Sequence, residues 1–434
     1  MQEEIIMLDI RQIRENPDRI KAAMKKRCLD LDTVVDDILK IDAKRREIST
    51  RTDQMKSEQN SVSKKIPQMK KAGEDTAPIL AKMKELSAEI SENAAKVSAL
   101  EEQQKSLLLS LANMPDEDLA EGGKENNAAI RYFKEAPKFD FEPKNHVELC
   151  ESLGLIDYER GAKLAGAGSW VYRGWGARLE WALLNFFIEE HIADGYEFVL
   201  PPHMLNYECG YTAGQFPKFG DEVYKIANPT SEVAKFMLPT AETALVNLHR
   251  DEILTLDELP RKYIAYTPCY RREAGSYRSE ERGMIRGHQF NKVEMVQYTT
   301  EDGSDAAFEE LVGKAERLVQ KLGLHHRVSK LAAGDVSFSM ARTYDIEVWI
   351  PSMGIYKEVS SASNAHDYQA RRGNIRYRGE DKKLHFAHTL NASGLATSRV
   401  IPAIVEQYQN ADGSVTVPEV LRKYLGIERI EATK

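Results

Sequence analysis

The sequence predicts an antiparallel α+β domain preceded by an antiparallel two-helix coiled coil. Three observations predict it. Apolar residues recur in two heptad seams around one turn between residues 31 and 111. From about Tyr132 strands and helices mix irregularly, with no βαβ rhythm and no glycine-rich phosphate loop. The stretch Tyr266 to Gln297 (YTPCYRREAGSYRSEERGMIRGHQFNKVEMVQ) reads as a strand, a charged loop broken at Ala274-Gly275-Ser276, and a returning strand. At 434 residues the chain exceeds one typical core, so two or three domains are expected.

Bulk properties narrow the partners. The net charge is -8, so a polyanion must meet a local basic patch and not the overall field. Cys28, Cys150, Cys209 and Cys269 are scattered without CxxC spacing. Neither a zinc knuckle nor a disulfide framework is expected, which fits a reducing cytoplasm. The start MQEEIIMLDIRQIREN lacks the pattern of a signal peptide, and no apolar run reaches the ~18 residues of a membrane span.

In chain order, Asp9 to Arg27 reads as one short amphipathic helix with a cap-and-first-turn signal at Asn16-Pro17. The first heptad seam follows, through Leu31, Val34, Ile38, Ile41, Ile48, Met55, Val62, Ile66 and Met69. Arg45, Thr52 and Gln59 are its polar interruptions, and Pro67 should kink or end the helix near its last turn. After Lys70 to Asp75 a second seam carries Ile79, Met83, Leu86, Ile90, Val97, Leu100, Leu107 and Leu111. Such a hairpin is most often a dimerisation or spacer element. Residues 40–71, however, hold ten basic side chains against four acidic ones. Lys44, Arg45, Arg46, Arg51, Lys56, Lys64 and Lys65 are the candidates on this face, whose charge suits a phosphate backbone. Residues 1–112 are therefore expected to form a helical arm (coiled coil about 31–111), 113–131 a linker, and 132–434 the second domain.

Within that domain, Ala177 to Gly195 is an apolar-faced helix leading into Tyr196 to Pro202, a strand closed by prolines. It suits a sheet cover or an interface equally. Leu238 to Glu242 turns into a helix that Thr240 or Glu242 would cap. Tyr344 to Ile350 alternates as a strand, with Lys357 to Ser361 as its partner, and His388 to Arg399 runs from strand to helix. Residues two apart on a strand share a face, which pairs Arg271 with Glu273 and aligns Arg286, His288, Phe290 and Glu294. Two arginines, an aromatic ring and two carboxylates on one hairpin face suit ATP with an amino acid.

These segments together resemble the class II aminoacyl-tRNA synthetases, and within them the seryl-tRNA synthetase family. The likeness covers nearly the whole chain. GARLEWALLNFF…YEFVLPP resembles motif 1, YRREAG…RGMIRGHQFNKVE motif 2, and HTLNASGLATSR motif 3. LPTAE resembles the serine-site loop and TYDIEVW…YKEVSSASN the metal-binding strands. The resemblance implies a class II catalytic domain with a mostly antiparallel sheet, dimeric through residues about 176–202, and an arm that clasps serine tRNA. It implies a serine–tRNA ligase that forms seryl-adenylate from ATP and passes the seryl group to the 3′ end of serine tRNA, with selenocysteine tRNA as a further candidate substrate. Arg271, Arg286 and Arg399 are the expected catalytic residues. ATP would meet Arg271, Glu273, Arg286, Phe290, Glu358, Ser361 and Arg399. Serine would meet Thr240, Glu242, Arg271, Glu294, Asn391 and Ser393. Glu358 and Ser361 would ligate Mg²⁺ or Mn²⁺, and no zinc is expected. Their opposite parity requires a bulge or strand end if both bind.

Several positions depart from the family pattern: Arg272, the Ser360-Ser361-Ala362 run, Ala392, Thr397-Ser398, and the charged loop Tyr277 to Glu281. None removes an expected ligand. Two other readings are a non-catalytic relative that binds RNA or a protein partner through the arm, which would typically lose the three arginines, and a ligase acting on a carrier protein, which would lack the arm.

Overall fold

The computed structural model describes residues 8–230, 232–273 and 283–432. The chain forms two compact units: Leu29–Ala112 with the helical segment up to Lys25, and Asn113–Lys434 with Lys26–Cys28.

The first unit opens with two helices where one was expected, α1 (Ile10–Glu15) and α2 (Pro17–Lys26). Asn16 ends α1 with φ -140°, and Pro17 starts α2, since proline cannot donate into a preceding turn. The hairpin is α3 (Asp32–Lys71) and α4 (Ala77–Leu108). Ion pairs Arg45–Glu101, Arg51–Glu89 and Glu58–Lys82 run in opposite sequence directions, which fixes the helices as antiparallel. Forty residues make α3 about 60 Å long at ~1.5 Å per residue. Pro67 lies inside the helix, which continues four residues beyond it to Lys71.

One feature of this unit was not legible. Asp42, which the heptad pattern leaves outside the seam, is fully buried. Arg14 of α1 lies 3.3 Å from it, with Arg45 at 3.3 Å and Arg46 at 3.0 Å. A buried carboxylate persists only when paired, and α1 supplies part of that shield. Arg45 and Arg46 are therefore spent locally, and Arg51 pairs with Glu89 at 2.6 Å. Lys56 lies 3.9 Å from Asp53. Lys44, Lys64 and Lys65 are exposed and form no ion pair among the described residues.

The second unit is built on an eight-stranded sheet: β1 (Ala128–Phe133), β2 (Glu197–Val199), β3 (Arg261–Tyr270), β4 (Gln289–Thr299), β5 (His326–Lys330), β6 (Arg342–Ile350), β7 (Ile355–Asn364) and β8 (His388–Ala396). Its order is β1-β5-β6-β7-β8-β4-β3-β2, antiparallel throughout except for β2 against β3. Helices α5 (Gly174–Ala193), α6 (Ser304–Lys321) and α7 (Thr397–Gln407) bury Leu183, Phe187, Phe308, Leu311, Val400 and Ile404 in the core beside sheet residues such as Val293, Ile346 and Val348. Alternation on β6 is as expected, with Tyr344, Ile346, Val348 and Ile350 buried and Asp345 and Glu347 less so.

The segment expected to be a linker is bonded into this unit. Asn113 Nδ2 donates to the carbonyls of Ser339 and Ala365 at 3.0 and 2.8 Å, and the backbone N–H of Asp116 donates to Ala341. Arg27 is buried as well, and its guanidinium donates to four carbonyls: Asn113, Val336, Ser337 and Met340.

Candidate active site

Strands β3, β4, β7 and β8 lie side by side, and their ends gather most of the expected site residues. Arg271, Glu273, Arg286, Phe290, Lys292, Glu358, Ser393 and Arg399 line one cavity. A larger cavity of about 610 Å³, lined by Asn145, Tyr158 and Gly283, lies elsewhere. Chemistry rather than size singles out the first.

Arg271 and Glu273 do not share a strand face as their two-residue spacing predicts. Strand β3 ends at Tyr270, and Glu273 sits at φ 50°, so the two residues are not on a strand. They meet the other members by side-chain contacts. Arg286 Nε donates to Glu273 Oε2 at 2.6 Å. Arg271 Nε donates to the Pro239 carbonyl at 3.2 Å, and its guanidinium carbon lies 5.1 Å from the Phe290 ring centroid. The two Nη groups of Arg271 bond to nothing among the described residues. Its backbone N–H donates to the His288 carbonyl at 2.9 Å, which continues the hairpin beyond the ladder. The loop Ala274 to Glu281, including the charged departures, lies outside the described residues.

Arg399, on the first turn of α7, donates from Nη1 to the Glu358 carbonyl at 2.9 Å and from Nε to the Ile285 carbonyl at 3.3 Å. Its Nη1 is 3.5 Å from Glu358 Oε1. The register of β7 contains the irregularity that a shared role for Glu358 and Ser361 requires. Ser361 faces Asp345 and Ser360 faces Ile346, yet Glu358 faces Glu347, leaving Val359 as the extra residue. Asp345 is held well above the usual carboxylate range by burial and by the nearby charge of Glu358. Its Oδ1 is buried without a hydrogen-bond partner.

At the far end a buried polar network surrounds Glu294, which is 1% exposed. Asn391 Nδ2 donates to Glu294 Oε1 at 3.0 Å and Thr240 Oγ1 donates to its Oε2 at 3.4 Å. Ser393 lies directly opposite Glu294 in the ladder. Lys292 pairs with Glu294 and also donates to Thr240 Oγ1 at 2.8 Å. Sequence reasoning missed Lys292, although it stands on the same parity as Phe290 and Glu294. Thr240 also accepts from the Glu242 N–H at 3.2 Å, although the N-cap position of the short helix Glu242–Leu245 is Ala241 and not Thr240 or Glu242. Glu242 accepts from Gln369 Nε2 at 2.8 Å and Asn391 Nδ2 at 3.3 Å. Gln369 is a second missed residue, brought in by a helix with no local signal. Burial, then the like charge of Glu294, pushes Glu242 up to about 7.

The N-terminal part of the chain, residues 7–115, matches the family model for the seryl-tRNA synthetase N-terminal domain. Residues 224–408 match the tRNA synthetase class II core domain (G, H, P, S and T). Serine–tRNA ligase 2 of Clostridium acetobutylicum is 60% identical over 98% of this chain and 100% of that protein. The chain belongs to the seryl-tRNA synthetase family. Among solved structures, seryl-tRNA synthetase from Pyrococcus horikoshii complexed with ATP superposes with a TM-score of 0.94 at 34% identity, covering 98% of this chain and 100% of that one. The cytoplasmic serine–tRNA ligase of Naegleria fowleri in complex with AMP follows at 0.89 and 29% identity, covering 98% and 99%. The segments that resemble motif 2 lie on β3 and β4, those that resemble motif 3 on β8 and α7, and the helix that resembles motif 1 is α5.

Proposed function

We propose that the chain activates L-serine with ATP and transfers the seryl group to the 3′ end of serine tRNA. The convergence of three arginines and Phe290 on one cavity, beside the Glu294 network, carries this reading. In the first step the serine carboxylate attacks the α-phosphorus, forming the mixed anhydride as pyrophosphate leaves. In the second the 3′-terminal ribose hydroxyl attacks the seryl carbonyl and AMP leaves. The residues offer positioning and charge rather than covalent chemistry.

Arg271 bridges the serine carboxylate and the α-phosphate, its two Nη groups acting as a planar fork. Arg286 reaches the outer phosphates. Phe290 and Arg399 flank the purine, and Glu273 accepts from the adenine amino group. Glu294, Thr240 and Glu242 hold the ammonium group, while Asn391 and Ser393 frame the serine hydroxyl. A site of buried polar groups rejects an analogue that leaves them unpaired.

Among the described residues no cluster of three or more His, Cys, Asp or Glu side chains is placed to hold a metal. Glu358 and Ser361 would supply oxygen donors to a divalent cation, and the unpartnered Asp345 Oδ1 beside Ser361 fits such a cation. A bound Mg²⁺ or Mn²⁺ would neutralise phosphate charge. For partners, the free lysines of α3 suit a tRNA phosphate backbone. Exposed Trp181, Phe198 and Leu200 in the motif 1 segment suit a homodimer face. No helix is long and apolar enough to cross a membrane among the described residues, and tRNA as substrate favours the cytoplasm.

Charging of total tRNA with labelled serine tests the reading. Acylation should be confined to serine tRNAs and indifferent to their anticodons; acylation of no tRNA would refute it.

The raised carboxyl of Glu242 gives a pH signature. It holds an ammonium group only when ionised, and the ionised fraction grows as pH rises through about 7. Serine kcat/KM in the activation step should therefore climb up to about tenfold per pH unit below that point and level off above it. Glu242→Gln should flatten the profile; a mutant that keeps it would assign the titration elsewhere.

A further inference from the structure

Among the buried carboxylates that the proposed chemistry does not use, one lies next to the site. Glu180, on the motif 1 helix α5, is 3% exposed. Its Oε1 accepts from Asn291 Nδ2 at 2.7 Å and from Thr397 Oγ1 at 2.7 Å. Its Oε2 is buried without a hydrogen-bond partner. Burial pushes the carboxyl up to about 7 against the hydrogen bonds from Thr397 and Asn291. An isolated buried acid with two neutral donors is a poor source of stability, so its value must lie in what it connects.

Asn291 stands between Phe290 and Lys292 on β4, and its Oδ1 accepts from the Tyr266 hydroxyl at 3.3 Å. Thr397 opens α7, two residues before Arg399. It is one of the motif 3 departures, and its hydroxyl also lies 3.1 Å from the Asn291 carbonyl. The backbone ladder alone does not set this junction. Ser393 faces Glu294 and Ala396 faces Lys292, so β8 carries one extra residue immediately before α7 begins. A bulge disrupts the ladder locally, and at this junction Glu180 bonds to both Asn291 and Thr397.

We propose that Glu180 is a positioning residue: it joins Asn291 of motif 2 and Thr397 of motif 3 on one carboxylate oxygen and so sets the separation of Phe290 and Arg399. The inference rests on the reading that these two residues flank the purine of ATP. Glu180 itself touches neither substrate. Loosening the tie should weaken ATP binding and spare the serine end, whose network is built on Glu294 and β8 residues before the bulge.

The test is serine-dependent ATP–pyrophosphate exchange by the full chain, with KM measured separately for ATP and serine. One lost hydrogen bond of about 1 kcal/mol corresponds to roughly fivefold in affinity. Thr397→Val should raise the ATP KM roughly fivefold and Glu180→Ala somewhat more, with the serine KM within about twofold of native. The double variant should match Glu180→Ala alone, because both remove one junction. Glu180→Gln, which keeps the acceptor oxygen, should restore the ATP KM. If Glu180→Ala does not fold, Thr397→Val and Glu180→Gln carry the test. An unchanged ATP KM, a parallel rise for serine, or additivity of the two substitutions would overturn the proposal. Phe290→Leu is the control on the underlying reading. If it leaves the ATP KM unchanged, the purine assignment fails and the clamp with it. If it raises the KM while Thr397→Val and Glu180→Ala do not, only the clamp fails.

Discussion

Arg271→Ala is expected to lower kcat/KM for serine-dependent exchange by about 10³-fold, the usual scale for removing a preorganised donor from a developing charge. The side chain is anchored through Nε on the Pro239 carbonyl and over the Phe290 ring, while both Nη groups stay uncommitted within the described residues. It is therefore pre-aimed, and little ordering is needed when substrate arrives. Bringing a carboxylate against a triphosphate opposes two like charges, and one planar cation between them relieves both. Arg271→Lys keeps the charge but not the fork. It should recover only a minor part of the loss, because an ammonium group cannot donate in parallel to two oxyanions. Circular dichroism should be native in both variants. Exchange within about tenfold of native in Arg271→Ala would remove this residue from the site.

Deleting residues 40–105 is expected to abolish charging of tRNA while leaving exchange within a few-fold of native. The deleted hairpin belongs to the first compact unit, whereas every residue of the proposed site lies in the second. Point substitutions refine the expectation. Asp42 absorbs Arg45 and Arg46, and Glu89 absorbs Arg51, so these arginines contribute less to an RNA than the raw charge count suggests. Lys44, Lys64 and Lys65 are expected to carry more of it. Replacing Lys64 and Lys65 with glutamate should raise the tRNA KM at least about tenfold and reduce its salt dependence. Loss of exchange together with charging would make the hairpin a structural element instead.

The heptad seams made the hairpin legible because a coiled coil is specified by local repetition. The antiparallel α+β character was legible for a related reason, since strand alternation is also local. What failed were statements needing a long-range partner or a chain break. Arg271 and Glu273 were placed by strand parity, but the strand stops at Tyr270 and a left-handed residue follows, so the pairing is made by side chains. Asp42 looked like one more solvated acid because its burial depends on α1. Gln369 gives no signal near the LPTAE turn that it supports. Lys292 is a different kind of miss. It satisfies the same two-residue period as Phe290 and Glu294 and was simply passed over in that alignment. The bulge at Val359 was legible as a requirement, since Glu358 and Ser361 differ in parity. Its position came from the register.

The most direct measurement is ATP–pyrophosphate exchange across a panel of amino acids. Serine should support it, and alanine and threonine should each fall at least about 10²-fold below serine in kcat/KM: alanine because it leaves Asn391 and Ser393 unpaired, threonine because its extra methyl meets a small, closed polar pocket. Equal exchange with alanine or threonine, or none with serine, would contradict the account.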